Sequence, residues 1–195
     1  MKRFILTGAP GAGKTSILRH LQERGFDVVD EAATAFITRK RAEGDAEPWT
    51  RADFVEQVVA LQHRLQTRSV TRAVSTQIYD RSPICTHALA GFLGHPVPEA
   101  LPAEIDRITR EQIYERQVFF VRPIGFCEPT AARRISFEES LEFERIHEQS
   151  YRLFGYDLVD VPAGDVADRA ALIATTMARF MRRSTTPGER RVVGR

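Results

Sequence analysis

The sequence predicts an α/β fold in which a parallel sheet is covered by helices on both faces. Five short β-rich segments, each followed by helical sequence, carry that expectation. So does a glycine-rich loop set directly between the first such segment and a helix. With 195 residues, 43% of them hydrophobic, the chain holds enough apolar material for one ordinary domain core, and it shows no internal repeat.

The predicted strands cover residues 3–7, 26–30, 74–79, 117–121 and 156–161. After the first comes a helix opening at Lys14-Thr15-Ser16-Ile17-Leu18. Between the second and third, Thr50 and Asp53 have the spacing of a capping box, and Phe54, Val58, Leu61 and Leu65 then share one helical stripe. Over residues 101–116, Leu101, Ile105, Ile108 and Ile113 repeat at helical spacing, and Pro102 sits where a first turn tolerates it. A second capping box, Ser136 and Glu139, starts a helix through Phe143, Ile146 and Leu153, which Gly155 ends before the fifth strand. Asp165 is placed to cap a last helix with Val166, Ala170, Ile173, Met177 and Phe180 on its buried stripe. The expected division is therefore a domain over residues 1–181 and a basic, aperiodic tail over 182–195.

Charge excludes some functions. The net charge is +2, and the tail carries five arginines against Glu189, which is +4 and leaves −2 for the rest. A nucleic-acid-binding body is not indicated. Cys85 and Cys127 lack metal or redox spacing and read as reduced thiols, and no apolar run has the length of a signal-peptide core or a membrane span. A cytoplasmic protein is expected.

Residues 8–15, Gly8-Ala9-Pro10-Gly11-Ala12-Gly13-Lys14-Thr15, match the phosphate-binding P-loop pattern between a strand and a helix. Glycines at 8, 11 and 13 let the backbone curl so that amide hydrogens face phosphate oxygens, and the helix start, with Ser16, adds its positive end. Lys14 supplies a point charge for the β and γ phosphates, and the Thr15 hydroxyl suits a magnesium ion. The pattern implies a site for a nucleoside triphosphate with magnesium. Asp80, ending the third apolar segment, is the candidate second magnesium ligand. Arg81 beside it offers a planar fork for an anionic substrate or the transferring phosphoryl group. Asp30-Glu31 ends the second strand and faces the same ligand crevice. A carboxylate there fits an acceptor hydroxyl, or pairs with Arg39 or another surface arginine. Arg133 and Arg134 lie just before the capped helix, after a Pro-containing stretch, where guanidinium groups on a lid close over a triphosphate. His63, His87, His95 and His147 have no ligand spacing and read as surface or packing residues, with His87 on a helix that follows Asp80-Arg81 and could line the crevice. Trp49 either covers an acceptor pocket or packs on the next helix, and packing is the expectation.

With these residues in view, the chain resembles the P-loop kinase-like domain family often labelled AAA-type ATPase domains and typified by the ribosylnicotinamide kinase domain of NadR. The resemblance rests on residues 8–15, Asp30-Glu31-Ala32-Ala33, Tyr79-Asp80-Arg81-Ser82-Pro83, Arg133-Arg134, and a late stretch through Tyr151-Arg152-Leu153-Phe154-Gly155-Tyr156, Val161-Pro162 and Asp168-Arg169. It implies a three-layer α/β/α P-loop NTPase fold with a five-stranded sheet of order 2-3-1-4-5, ATP in the loop, and an acceptor opposite, near Glu31 and Arg81. By the same resemblance Glu31 rather than Asp30 is the candidate base, and residues 161–168 lie near the nucleotide base. The expected activity is ATP-dependent phosphotransfer to a small hydroxyl acceptor, nucleoside-like or other. The rival expectation is a regulatory ATP- or GTP-binding switch, or slow NTPase, acting through a protein or membrane partner, with the basic tail as its main support.

Overall fold

The computed structural model describes residues 1–68, 75–125 and 136–185. In chain order the elements are β1 (Lys2–Thr7), α1 (Lys14–Glu23), β2 (Asp27–Val29), α2 (Ala32–Ala42), a 3-10 turn (Pro48–Thr50), α3 (Phe54–Thr67), β3 (Thr76–Asp80), α4 (Pro83–Leu93), α5 (Ala100–Arg110), β4 (Gln117–Val121), α6 (Phe137–Leu153), β5 (Asp157–Val161) and α7 (Val166–Thr185). The sheet is parallel throughout and ordered β2-β3-β1-β4-β5, as the resemblance implies.

Period-two alternation divides the core. On β1, Phe4 and Leu6 face α1 and α7, together with Ile78, Phe119 and Val121. Ile5, Tyr79 and Val118 face the other way and join Phe36, Phe54, Val58, Ile84, Ile105 and Tyr151 from α2 to α6. Strands buried on both faces need such continuous apolar runs, which is why Phe4-Ile5-Leu6 and Val118-Phe119-Phe120-Val121 are fully buried. Register then sets the site: Leu6 pairs with Asp80 on one side and Phe119 on the other, so β1 gives way to its loop beside the end of β3. In an open parallel sheet that edge is the ligand crevice.

Several local expectations need correction. The Thr50–Asp53 capping box does not form, because Thr50 lies in the 3-10 turn and its hydroxyl donates to the Glu47 carbonyl at 2.8 Å. Asp53 instead accepts from Arg51 Nε at 2.9 Å. The Ser136–Glu139 box does form, with both reciprocal hydrogen bonds. Helix α5 stops at Arg110, six residues before the expected end, since Gln112 takes a left-handed φ of 49°. On α6, Leu153 is 75% exposed while Tyr151 is fully buried, so the buried stripe runs through Phe143, His147 and Tyr151. Val166 is exposed at the start of α7, whereas Ala170, Ile173 and Met177 are buried. Helix α7 continues to Thr185, past the expected boundary at 181, and residues 186–195 of the expected tail lie outside the described residues. No helix among the described residues is long and apolar enough to cross a membrane.

Candidate phosphate and acceptor site

The loop after β1 is held by its glycines and by two buried cations. Gly8, Gly11 and Gly13 have φ of 140°, 83° and 87°. A Cβ on Gly8 would stand 2.3 Å from the Val121 carbonyl oxygen, so position 8 admits only glycine without moving β4. Lys14 is buried and donates through Nζ to the carbonyls of Gly8 at 3.0 Å and Ala9 at 2.9 Å. Arg169, 3% exposed on α7, donates to the carbonyl of Ala12 at 2.8 Å and to that of Arg122 at 2.8 Å. Three loop carbonyls are thus engaged by protein cations rather than left to repel a phosphate. Arg169 belongs to the late stretch of the resemblance, yet nothing local in the sequence reveals that it ties the loop to β4.

Beside the loop, four charged side chains converge. Asp80 ends β3, and burial, reinforced by Glu31, pushes its carboxyl up to about 6. Its Oδ1 is buried with no hydrogen-bond partner among the described residues, an arrangement that costs stability unless a cation or donor arrives. Arg81 follows with a left-handed φ of 73°, rare for a side chain of its size. Its amide still donates to the Leu6 carbonyl at 3.0 Å, so the strained residue prolongs the contact between β3 and β1. The Arg81 Nε lies 2.5 Å from Glu31 Oε1, a close ion pair whose Nε–H is not aimed along a hydrogen bond. Arg39 pairs instead with Glu43, so the arginine that Glu31 meets is the one in the crevice. Burial alone would raise the Glu31 carboxyl, but Arg81 and Lys14 outweigh it and hold it below the ordinary value, with Thr34 donating to Oε2 at 2.8 Å. Burial and Arg81 bring the Lys14 ammonium down to about 8.

His147, read from sequence as a packing residue, belongs to this cluster. It is fully buried on α6, with Nε2 3.1 Å from Arg81 Nη1 and Nδ1 3.1 Å from the Phe143 carbonyl. Burial, then Arg81, lowers its pKa well below the usual imidazole value, so the ring is neutral. Behind it, the Tyr151 hydroxyl lies 2.7 Å from Ser82 Oγ and 3.0 Å from Cys85 Sγ, which is itself 3.0 Å from Thr7 Oγ1. Cys85 is a buried free thiol, as expected, and Cys127 lies outside the described residues.

A cavity of about 650 Å³ opens over these groups. It is lined by Gly11, Gly13, Lys14, Thr15 and Ser16 of the loop, by Glu31, Asp80 and Arg81, and by Trp49, Phe54, Gln62, Thr86, Phe92 and Phe143. Gly8, Ala9 and Ala12 shape the loop from behind, the two alanines being fully buried. Trp49 therefore both packs on the core and walls the cavity. His87 does not line it and instead meets Phe154 edge-on at 5.3 Å. Gln62 and Thr86, which the sequence reading passed over, form a pair in the cavity lining, Thr86 Oγ1 donating to Gln62 Oε1 at 3.0 Å. Arg133 and Arg134 lie outside the described residues. Among the described residues no group of three or more His, Cys, Asp or Glu could hold a metal ion. The unpartnered Asp80 Oδ1 and the Thr15 hydroxyl, on residues that line the same cavity, are oxygen donors of the kind magnesium takes alongside substrate phosphates and water.

The chain belongs to the AAA domain family, whose model matches residues 3–169. A search of curated proteins finds no match to the sequence. Among solved structures the chain is similar to NadR in complex with NAD and AMP-PNP, with 17% identity and a TM-score of 0.65, covering 97% of this chain and 51% of that one. The chain thus spans about half of that protein's length. It is also similar to deoxyadenosine kinase from M. mycoides with bound dCTP, at 16% identity and a TM-score of 0.59, covering 92% of this chain and all of that one. The same kinase with bound dATP matches at 15% identity and 0.57, covering 90% and 99%. At these identities the likeness establishes the fold, which is that of the P-loop kinases.

Proposed function

We infer that the protein is an ATP-dependent phosphotransferase that acts, with magnesium and in the cytoplasm, on a hydroxyl of a small nucleoside-like acceptor. The observation that carries this reading is a single cavity whose lining combines P-loop residues, Glu31, Asp80 and Arg81, and the aromatic side chains Trp49, Phe54, Phe92 and Phe143. A nucleotide switch needs no aromatic lining in the cavity that holds its phosphates. Trp49, Phe54 and Phe92 suit a flat ring, and the Gln62–Thr86 pair offers polar groups for its edge. The cations among the described lining residues are Lys14 and Arg81, and Arg81 is matched by Glu31, which favours an acceptor without a phosphate of its own. The NadR complex with AMP-PNP and deoxyadenosine kinase with dATP point the same way.

In this reading Lys14 and the loop amides hold the triphosphate. Magnesium, held by Thr15 and Asp80, would neutralise charge on the phosphates. Glu31, kept ionised by Arg81, accepts the hydrogen bond of the acceptor hydroxyl and takes its proton as that oxygen bonds to the γ-phosphorus. The bond to the bridging oxygen breaks, its electron pair leaving with ADP. Arg81 faces the transferring group, and Arg133 and Arg134 are assigned to cover the phosphates. Phosphoryl transfer relies on positioning and charge more than on a strong base, so the low pKa of Glu31 suits the role.

The test is ADP release by purified protein against nucleosides, nucleotides, vitamins and aminoglycosides, with Lys14→Ala as control. Stimulation by a phosphate-free hydroxyl compound is expected. If no acceptor stimulates release, while ATP and GTP bind equally and alter hydrogen exchange in residues 182–195, the protein is a switch.

A further inference from the structure

Arg81 is held by more than its ion pair. Glu31 holds one part of the guanidinium, with Oε1 2.5 Å from Nε. The advantage of arginine at a transferring phosphoryl group lies in a fork held in one orientation. A second contact on the same guanidinium comes from the His147 ring, 66 residues away on α6, with Nε2 3.1 Å from Nη1.

We propose that His147 is the positioning residue of Arg81, its Nε2 lone pair fixing the guanidinium that Glu31 also contacts. The inference rests on the phosphotransfer reading for its kinetic consequence, but not for its geometry. The hydrogen bonds determine the tautomer. A guanidinium only donates and a backbone carbonyl only accepts, so the ring between Arg81 and Phe143 carries its hydrogen on Nδ1 and its lone pair on Nε2. Either the other tautomer or the imidazolium would set N–H against N–H. The ring is also fixed in place: it meets Phe143 edge-on at 4.1 Å, and Phe143 meets Phe92 at 4.8 Å, both phenylalanines lining the cavity. Packing alone would accept a leucine or phenylalanine here, and a fully buried imidazole costs free energy unless both nitrogens are paired, as they are.

The test compares wild type, His147→Leu and His147→Gln as full-length chains. The glutamine amide oxygen reaches about as far as Nε2 and restores the acceptor. Nitrogen-15 NMR of the wild type at pH 7 should show His147 as the Nδ1–H tautomer and resolved, slowly rotating Arg81 guanidinium signals, which His147→Leu collapses and His147→Gln retains. With an active acceptor, His147→Leu should lower kcat about 100-fold, the scale of a misplacement near 1 Å, while the Kd for Mg-ATP stays within about twofold. His147→Gln should recover at least tenfold of that loss. An Nε2–H or protonated ring, a glutamine variant no better than leucine, or losses in kcat and ATP affinity that simply track Tm would overturn the proposal. If no acceptor supports turnover by the wild type, the phosphotransfer reading fails, and the NMR signals of His147 and Arg81 still decide the inference.

Discussion

Replacing Asp80 with asparagine should stabilise the metal-free protein while disabling its site. The Asp80 carboxyl is pushed from 3.8 up to about 6, by burial first and by Glu31 second. Between those values the folded protein holds a proton that the unfolded chain has released. Stability therefore falls as pH rises through that window, and stays lower above it. A shift of a little over two units, at 1.36 kcal/mol each, amounts to about 3 kcal/mol. The asparagine side chain is similar in shape to the aspartate it replaces and has no charge to desolvate. In EDTA without nucleotide, the variant should then exceed wild type by up to about 3 kcal/mol at pH 8, or roughly 6–12 °C in Tm for a chain of this size. The gain should shrink towards zero as pH falls through the window to about 4. Urea and thermal denaturation at several pH values measure it, and magnesium-dependent turnover, measured in parallel, should be lost. The reasoning is refuted if Asp80→Asn is less stable than wild type at pH 8, or if the difference does not depend on pH.

Two further outcomes follow from the loop. Lys14 in the ligand-free protein loses its proton near pH 8, and a triphosphate favours the charged form, so nucleotide affinity should fall by up to tenfold per pH unit above 8, with proton uptake on binding detectable by calorimetry in buffers of different ionisation enthalpy. Gly8→Ala puts a methyl 2.3 Å from the Val121 carbonyl oxygen at a φ of 140°, and should abolish nucleotide binding and destabilise the fold by at least about 2 kcal/mol, as read by titration and urea midpoint.

The strands were legible because each is short, apolar and followed by helical sequence, and the P-loop because its spacing and context are local. Boundaries were less so. Gln112 adopts a left-handed conformation that ends α5 although Ile113 keeps the helical spacing, and Leu153 continues a helical pattern on a face open to solvent. The Thr50–Asp53 spacing fits a capping box, but the chain turned into a 3-10 segment there and gave Asp53 to Arg51. Asp80, Arg81 and Glu31 were identifiable as strand-end residues beside a P-loop. Their mutual geometry was not.

The sequence by itself determined the sheet-and-helix alternation, the phosphate loop and the charged residues that end β2 and β3, because each depends on neighbours within a few positions. Only the tertiary structure decided that Glu31 pairs with Arg81 rather than Arg39, that Arg169 holds a loop carbonyl 157 residues away, and that Gln62 and Thr86 line the cavity. It also turned His147 from a packing residue into a partner of Arg81. These contacts arise where elements distant in the chain meet across a buried crevice, and a lone histidine or arginine on a helix carries no local signal of the face it will meet.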